Sequence, residues 1–193
     1  QTLEERLKNG DKLKLYLGID PTSPQIHLGH TIPLRKLRDF QRLGHQVIFL
    51  IGNFTALIGD TSDKDGLRPV MTQEEIETNF KTYKAQASKI LDFTKVELRY
   101  NADWLSKLKF SDVVKLAQQF TVQQLIERDM YQKRLEAGKP IGLHEFLYPL
   151  MQGYDSVAMD VDLEVGGNDQ LFNMLAGRVL QKTLRGREKH VMT

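Results

Sequence analysis

The chain has 193 residues, of which 40% are apolar and 27% are charged, and this size and polarity suit one globular domain with a buried core. The formal net charge is only +2, so any surface for nucleic acid has to be local. The sequence contains no cysteine, which excludes disulfides, thiol nucleophiles and cysteine metal sites. No apolar run approaches the roughly 18 residues that cross a bilayer, and the start lacks the apolar core of a signal peptide. These features predict a cytoplasmic protein without a membrane segment.

Short apolar runs alternate along the chain with longer segments whose apolar residues recur at helical spacing. Strands are predicted at 12–18, 45–52, 95–104 and 160–167, and a fifth begins at His190. Helices are predicted at 31–44, 72–93 and 169–184, with another from Leu143, and residues 111–137 form an all-helical insertion. Thr72 and Glu75 have the spacing of a capping box. The alternation predicts an α/β fold with a Rossmann-like, doubly wound parallel sheet, in which ligands bind beyond the carboxyl ends of the strands.

The stretch GIDPTSPQIHLGHTIPLRKL, at 18–37, follows the first strand and leads into the first helix. His27, Gly29 and His30 therefore lie near a helix amino terminus, where backbone N–H groups and the helix dipole favour a phosphate. Gly29 allows a ligand to approach the backbone closely, and two imidazoles can donate hydrogen bonds to phosphate oxygens. By spacing alone, the histidine pair is also consistent with a metal site or with two polar surface residues.

Four segments resemble those of a known family. YLGIDPTSPQIHLGH at 16–30 resembles the signature of class I aminoacyl-tRNA synthetases, with HLGH in place of HIGH, and its GxDPT form is typical of the tyrosyl enzymes. TALIGD at 55–60, YPLMQGYD at 148–155 and VGGNDQLFN at 165–173 resemble three further tyrosyl-tRNA synthetase motifs in the same order. The resemblance extends from about Lys12 to Thr193 and implies the catalytic fold of that family.

The resemblance implies a tyrosine pocket. Its members are Tyr16 and Asp155 for the substrate hydroxyl, Asp60, Tyr148 and Gln152 for the ammonium group, Gln170 near the reacting carboxylate, and Thr55 in the pocket wall. Tyr148, Gln152 and Asp155 are spaced i, i+4 and i+7, so a helix places all three on one face whatever the family. Taken singly, Tyr148 is also compatible with a core aromatic, and Asp155 with a helix cap or an ion pair.

The resemblance also implies an ATP site, formed by residues that follow the first predicted strand and residues that follow the fourth. Its members are Gly18, Asp20, Thr22, His27, Gly29, His30, Gly167 and Asp169, the last two at the ribose, with Lys64 and Arg68 near the pyrophosphate. Thr22, His27 and His30 are the implied catalytic residues, at phosphates where charge accumulates in the transition state. Lys64 and Arg68 are also compatible with solvated charges. Magnesium is expected to accompany ATP, and no protein metal site is predicted.

The function that the resemblance implies is tyrosine–tRNA ligation, in which L-tyrosine is activated with ATP and transferred to the 3′ end of tRNA(Tyr). A homodimer formed through a helical insertion at 105–147 is implied as well. The sequence ends at Thr193, before the KMSKS-type lysine loop and the tRNA-binding region that members of the family carry. We therefore expect residues 1–193 to be an incomplete catalytic domain with weak activity.

Two other functions stay open. A tryptophanyl enzyme or another HxGH nucleotidyltransferase would share the phosphate half of the site, although Tyr16, Asp60 and Asp155 favour a phenol over an indole. A synthetase-derived chain can instead be a non-catalytic module that binds RNA or a partner protein. Packing in the core is expected for Trp104, Met151, Met159 and Met174.

Overall fold

The computed structural model describes residues 1–57 and 71–193, and its centre is a parallel β-sheet. The strands in these ranges are Lys14–Ile19 (β1), Gln46–Ile51 (β2), Glu97–Tyr100 (β3), Leu163–Val165 (β4) and His190–Met192 (β5). Their order is β3-β2-β1-β4-β5, and all neighbouring pairs are parallel. The chain builds the sheet outward from β1 on both sides, which is the doubly wound arrangement and confirms the predicted fold class.

Helices connect the strands and pack on both faces of the sheet. The α-helices in the described ranges are Leu3–Lys8 (α1), Leu28–Arg42 (α2), Gln73–Ala87 (α3), Ala102–Leu105 (α4), Phe110–Ala117 (α5), Val122–Ile126 (α6), Asp129–Glu136 (α7), Tyr148–Met159 (α8) and Leu171–Arg185 (α9). Short 3-10 helices lie at Thr55–Leu57, Phe93–Lys95, Leu143–Phe146 and Asn168–Gln170. None of these helices is long and apolar enough to cross a membrane.

The two faces of β1 meet different helices. Leu15 belongs to the same buried cluster as Leu37 of α2, whereas Tyr16 packs with Met159 of α8. Successive strand residues point to opposite faces, so this alternation directs the side chain of Tyr16 toward α8. Tyr16 also lies beside Glu164 of β4 in the strand register.

Several predicted elements are shorter in the structure, among them the helix predicted over 72–93, which ends at Ala87. The third strand ends at Tyr100, and the residues expected to continue it form α4. The fourth strand covers only Leu163–Val165. The helix expected from Leu143 is divided into a 3-10 turn and α8, which begins at Tyr148. Pro149 contributes to this division, because it has no N–H with which to extend a preceding helix and lies in the first turn of α8, where none is needed.

The helices predicted over 111–137 are α5, α6 and α7. They end beside Gly138, whose φ of +62° is the left-handed conformation that commonly closes a helix. A buried ion pair holds this segment to the turn before α8, because Arg134 Nη1 donates to Glu145 Oε2 at 2.6 Å. The predicted capping box is also present at α3, where the Thr72 N–H donates to Glu75 Oε2 at 2.8 Å.

Candidate active site

A cavity of about 650 Å³ opens at the carboxyl ends of β1 and β4, next to the point where the strand order reverses. Doubly wound sheets bind their ligands at this position. Every predicted site residue that the structure describes lines this cavity, namely Tyr16, Gly18, Asp20, Thr22, His27, Gly29, His30, Thr55, Tyr148, Gln152, Asp155, Gly167, Asp169 and Gln170. Asp60, Lys64 and Arg68 lie outside the described residues. The fold therefore brings motifs from distant parts of the sequence together in one place.

A buried polar cluster forms around Asp155 of α8. Asp155 is 2% exposed and accepts from the Trp104 indole N–H at 2.7 Å and from the Asn101 amide at 3.3 Å. Burial raises the pKa of Asp155 well above its ordinary value, although both hydrogen bonds act in the opposite direction. Trp104 packs against the core as predicted, and its N–H has the further role of holding this carboxylate, which was not predicted.

Tyr16 enters the same cavity from β1. Its hydroxyl is hydrogen-bonded to the hydroxyl of Ser156, with 3.0 Å between the oxygens. Burial, with the charges of Glu164 and Asp155, raises the pKa of Tyr16 well above its ordinary value, so the phenol stays protonated. Sequence reasoning missed Ser156, and its position directly after Asp155 in the motif is the one signal that pointed to it.

Asp20, at the end of β1, connects the two sets of predicted residues. Its Oδ1 accepts from the Thr55 hydroxyl at 2.7 Å, and its Oδ2 accepts from the Tyr148 hydroxyl at 2.6 Å. Asn101 Nδ2 donates to Thr55 Oγ1 at 3.0 Å as well as to Asp155. A continuous network therefore runs from Asp20 to Asp155. Asn101 was not predicted, but it follows β3 directly, and a polar residue at the carboxyl end of a parallel strand is a recognisable signal.

A second network runs between α8, β4 and α9. Gln152 Nε2 donates to Glu164 Oε1 at 3.0 Å, and Asn173 Nδ2 donates to Gln152 Oε1 at 3.1 Å. Asn173 Nδ2 also reaches Gln170 Oε1 at 3.2 Å, and Gln170 Nε2 donates to Asp169 Oδ2 at 2.9 Å. Sequence reasoning missed Glu164 and Asn173. For Glu164 the signal was a charged residue in the middle of the otherwise apolar β4.

Acidic side chains dominate the charge of the cavity. Its lining includes four carboxylates, those of Asp20, Asp155, Glu164 and Asp169. Among the lining residues in the described part of the chain there is no lysine or arginine. An excess of negative charge in a low-dielectric cleft attracts cations such as an ammonium group. A phosphate in the same cavity therefore depends on neutral donors or on a cation that comes with it.

The two histidines provide neutral donors at the start of α2. His27 is the N-cap residue, its Nδ1 accepts from the Gly29 N–H at 3.1 Å, and His30 Nδ1 accepts from the His27 N–H at 3.2 Å. Because a backbone N–H occupies each Nδ1 lone pair, each neutral imidazole carries its proton on Nε2, where it can donate. Burial and the adjacent His27 lower the pKa of His30, which favours this neutral form. The arrangement suits phosphate oxygens, and the described residues contain no group of acidic and histidine side chains able to hold a metal ion.

Two predicted glycines leave room for polar side chains. A Cβ added at Gly29 would lie 3.0 Å from the ring of His27, which is tighter than an ordinary contact. A Cβ added at Gly167 would overlap Asp169 Oδ1. Larger residues at either position would displace the histidine cap or the carboxylate at the cavity mouth.

Comparisons with known proteins show the family of the chain. Residues 8–193 match the family model for tRNA synthetases class I (W and Y). The sequence is 52% identical over 193 residues to a tyrosine–tRNA ligase of Burkholderia mallei, covering 100% of this chain and 47% of that protein. It is 54% identical over 182 residues to a tyrosine–tRNA ligase of Ralstonia nicotianae, covering 94% of this chain and 46% of that protein.

A solved structure shows the same architecture. The C-terminally truncated mitochondrial tyrosyl-tRNA synthetase of Coccidioides posadasii superposes with a TM-score of 0.78 at 27% identity, over 96% of this chain and 55% of that one. The chain spans about half the length of the curated relatives that it matches. Since the family model covers nearly the whole sequence, the chain belongs to the class I tRNA synthetase family of the tryptophanyl and tyrosyl enzymes.

Proposed function

We propose that this chain carries the amino-acid-activating site of a tyrosine–tRNA ligase, which activates L-tyrosine with ATP to tyrosyl-adenylate, with release of pyrophosphate, and passes the aminoacyl group to the 3′ end of tRNA(Tyr). One observation carries the proposal: a single cavity contains both the buried acceptor Asp155 and the two Nε2–H donors of His27 and His30. The relatives named tyrosine–tRNA ligase support the same amino acid.

The part of the cavity around Asp155 and Tyr16 favours a phenol as the ligand. A tyrosine hydroxyl both donates and accepts, so it can donate to Asp155 while it accepts from the hydroxyl pair of Tyr16 and Ser156. An indole N–H only donates, and phenylalanine offers neither function. Phenylalanine would make neither of these hydrogen bonds and an indole N–H at most one, and a hydrogen bond contributes about 0.5 to 1.5 kcal/mol, or about 1.5 to 3 kcal/mol when one partner is charged. Tyrosine is therefore favoured over tryptophan as the amino acid for this site.

With the substrate hydroxyl at Asp155, the ammonium and carboxylate groups of the substrate are proposed to lie near the second network, between α8, β4 and α9. Tyr148 and Gln152 are proposed to contact the ammonium group, and the negative charge of the cavity favours a cation there. Gln170 is proposed to lie near the carboxylate, and Asp169 with Gly167 at the ribose of ATP. The proposed ammonium contact of Asp60 and the proposed phosphate contacts of Lys64 and Arg68 fall outside the described residues.

The chemical step needs no side-chain nucleophile. The tyrosine carboxylate is ionised at neutral pH, and one of its oxygens attacks the α-phosphorus of ATP. A bond from this oxygen to phosphorus forms, the bond from phosphorus to the bridging oxygen of pyrophosphate breaks, and the electron pair leaves with pyrophosphate. His27, His30 and Thr22 are proposed to stabilise the charge on the phosphates. Magnesium bound to the ATP phosphates would supply the positive charge that the acidic lining does not.

A second copy of the chain is the proposed partner at the helical insertion, 105–147. This segment exposes large apolar side chains, with Phe110 84% exposed, Val122 63% and Leu143 79%. Large apolar side chains exposed to this extent support an interface with another protein. We place the activity in the cytoplasm, because its product is used by ribosomes.

Ligand binding tests the proposal directly. Calorimetric titration should show tyrosine binding more tightly than phenylalanine or tryptophan, and pyrophosphate exchange should depend on tyrosine. A preference for tryptophan would assign the chain to the other branch of the family. Binding of RNA without binding of any of the three amino acids would identify a non-catalytic module.

A further inference from the structure

A buried lysine lies beneath the cavity, outside all the predicted motifs. Lys189 is 0% exposed, and its Nζ contacts Glu164 Oε2 and donates to the Met174 carbonyl at 3.0 Å. The ammonium group also lies 5.8 Å from the ring centre of Tyr16. Lys189 directly precedes β5, so the ion pair connects the last two strands of the sheet under the amino-acid end of the cavity.

The fold makes specific room for this lysine. A Cβ added at Gly177 of α9 would overlap Lys189 Nζ and would lie 2.8 Å from Ser156 Oγ. Burial lowers the pKa of Lys189, and the charge of Glu164 acts in the opposite direction. A buried ion pair is weak evidence for stability, because apolar residues of similar volume often serve as well. The hydrogen bonds that Glu164 makes to other side chains therefore say more about its role than the ion pair does.

Glu164 has one oxygen for each of two donors. Oε2 accepts a hydrogen bond from Lys189 Nζ, and Oε1 accepts one from Gln152 Nε2 at 3.0 Å. An ionised carboxylate only accepts, so it forces the amide of Gln152 to turn its NH₂ group toward β4. The amide oxygen of Gln152 is then turned the other way, where Asn173 Nδ2 donates to it at 3.1 Å. Both contacts select the same one of the two possible amide orientations.

We propose that Glu164 and Lys189 are positioning residues that set the amide orientation of Gln152, so that its oxygen is available to the ammonium group of the amino-acid substrate. This inference rests on the proposed function, because it assumes an amino-acid ligand with its ammonium at Gln152. Lys189 occupies one oxygen of Glu164, and the other oxygen of Glu164 keeps Gln152 an acceptor on its cavity side. The second lone pair of the amide oxygen serves the substrate.

The substitution Glu164→Gln tests this arrangement. A glutamine at 164 offers one oxygen to two donors, Lys189 and Gln152, and the charged lysine takes it. Gln152 then has to accept from the new NH₂ group, which reverses its amide and turns a donor toward the substrate ammonium. The double variant Glu164→Gln with Lys189→Met removes the competing donor, so that Asn173 can restore the original orientation.

The readout compares L-tyrosine with 3-(4-hydroxyphenyl)propionate, which lacks only the amino group, by calorimetric titration. Glu164→Gln should weaken tyrosine by about tenfold or more, the effect of one hydrogen bond to a charged group, and should leave the deaminated analogue within about twofold of the parent. The double variant should recover part of the preference for tyrosine. Glu145→Gln is the matched control, because it breaks the buried pair with Arg134 outside the cavity and should leave the preference unchanged.

Several results would overturn the inference. Equal loss of both ligands in Glu164→Gln, or no loss of tyrosine, would show that the pair is structural only. A Glu145→Gln control that lost the preference equally would attribute the effect to general loss of stability. A parent protein that binds neither tyrosine nor the analogue would overturn the proposed function, and the inference with it.

Discussion

Replacing Asp155 by asparagine should abolish most of the preference for tyrosine over phenylalanine. The carboxylate uses one oxygen for the Trp104 N–H at 2.7 Å and the other for Asn101 at 3.3 Å. An asparagine keeps one oxygen, which the shorter bond from Trp104 retains, and its NH₂ group cannot accept from a substrate hydroxyl. A hydrogen bond to a charged group is worth about 1.5 to 3 kcal/mol, so tyrosine affinity should fall by about 10- to 150-fold. Phenylalanine has no hydroxyl and should bind nearly as before.

Calorimetric titration of both amino acids into the parent and the variant measures this change. Asp162→Asn is the matched control, because Asp162 is another buried aspartate, 5% exposed, that bonds Arg6 and Arg187 outside the cavity. The control should lower stability and leave the ratio of the two affinities unchanged. The reasoning is refuted if Asp155→Asn binds tyrosine as tightly as the parent, or if it loses both amino acids equally.

The same substitution should change the pH dependence of stability. Burial raises the pKa of Asp155, so the folded state holds this proton more tightly than the unfolded chain does. The free energy of unfolding therefore falls as the pH rises from the ordinary carboxyl pKa of about 4 toward the folded-state pKa. Asparagine does not titrate, and the variant should become more stable relative to the parent across that window. Denaturant unfolding at a series of pH values measures the difference, and a constant difference would contradict the raised pKa.

The remaining predictions concern other residues. Alanine at His27 or His30 should slow pyrophosphate exchange and leave tyrosine affinity within about twofold of the parent. Equal losses of exchange rate and of tyrosine affinity would show that the histidines contact the amino acid instead of ATP. His27→Ala should also lower the Tm, because the loss of an N-cap costs about 1 kcal/mol, and His27→Asn should restore it. Trp104→Phe should weaken tyrosine binding about tenfold, because Asp155 loses the hydrogen bond that holds its carboxylate in place. An unchanged affinity would limit Trp104 to packing. Phe110→Asp should shift sedimentation toward the monomer, because a charge would be buried in the proposed interface, and an unchanged mass would exclude that face.

Local sequence determined most of the fold and the position of the site. The two-residue alternation of β1 separates Leu15 from Tyr16, and the 3.6-residue spacing of α8 places Tyr148 and Asp155 on the wall of one cavity. The boundaries of the elements were predicted less well. The start of α8 and the end of β3 depend on backbone hydrogen bonds, which the spacing of apolar residues does not report. Residues inside a motif, such as Tyr148 and Asp155, could be predicted as site residues without knowledge of these boundaries, whereas Asn101, directly after β3, was not.

Only the tertiary structure decided which side chains hold the predicted ones in place. Asn101 and Trp104 reach Asp155 because the residues that follow β3 lie against α8, although more than 50 residues separate them from Asp155 along the chain. Glu164 and Lys189 meet because β4 and β5 are neighbours in the strand order. Hydrogen-bond partners inside a core depend on sheet order and register, which arise from the packing of the whole chain and have no local spacing rule.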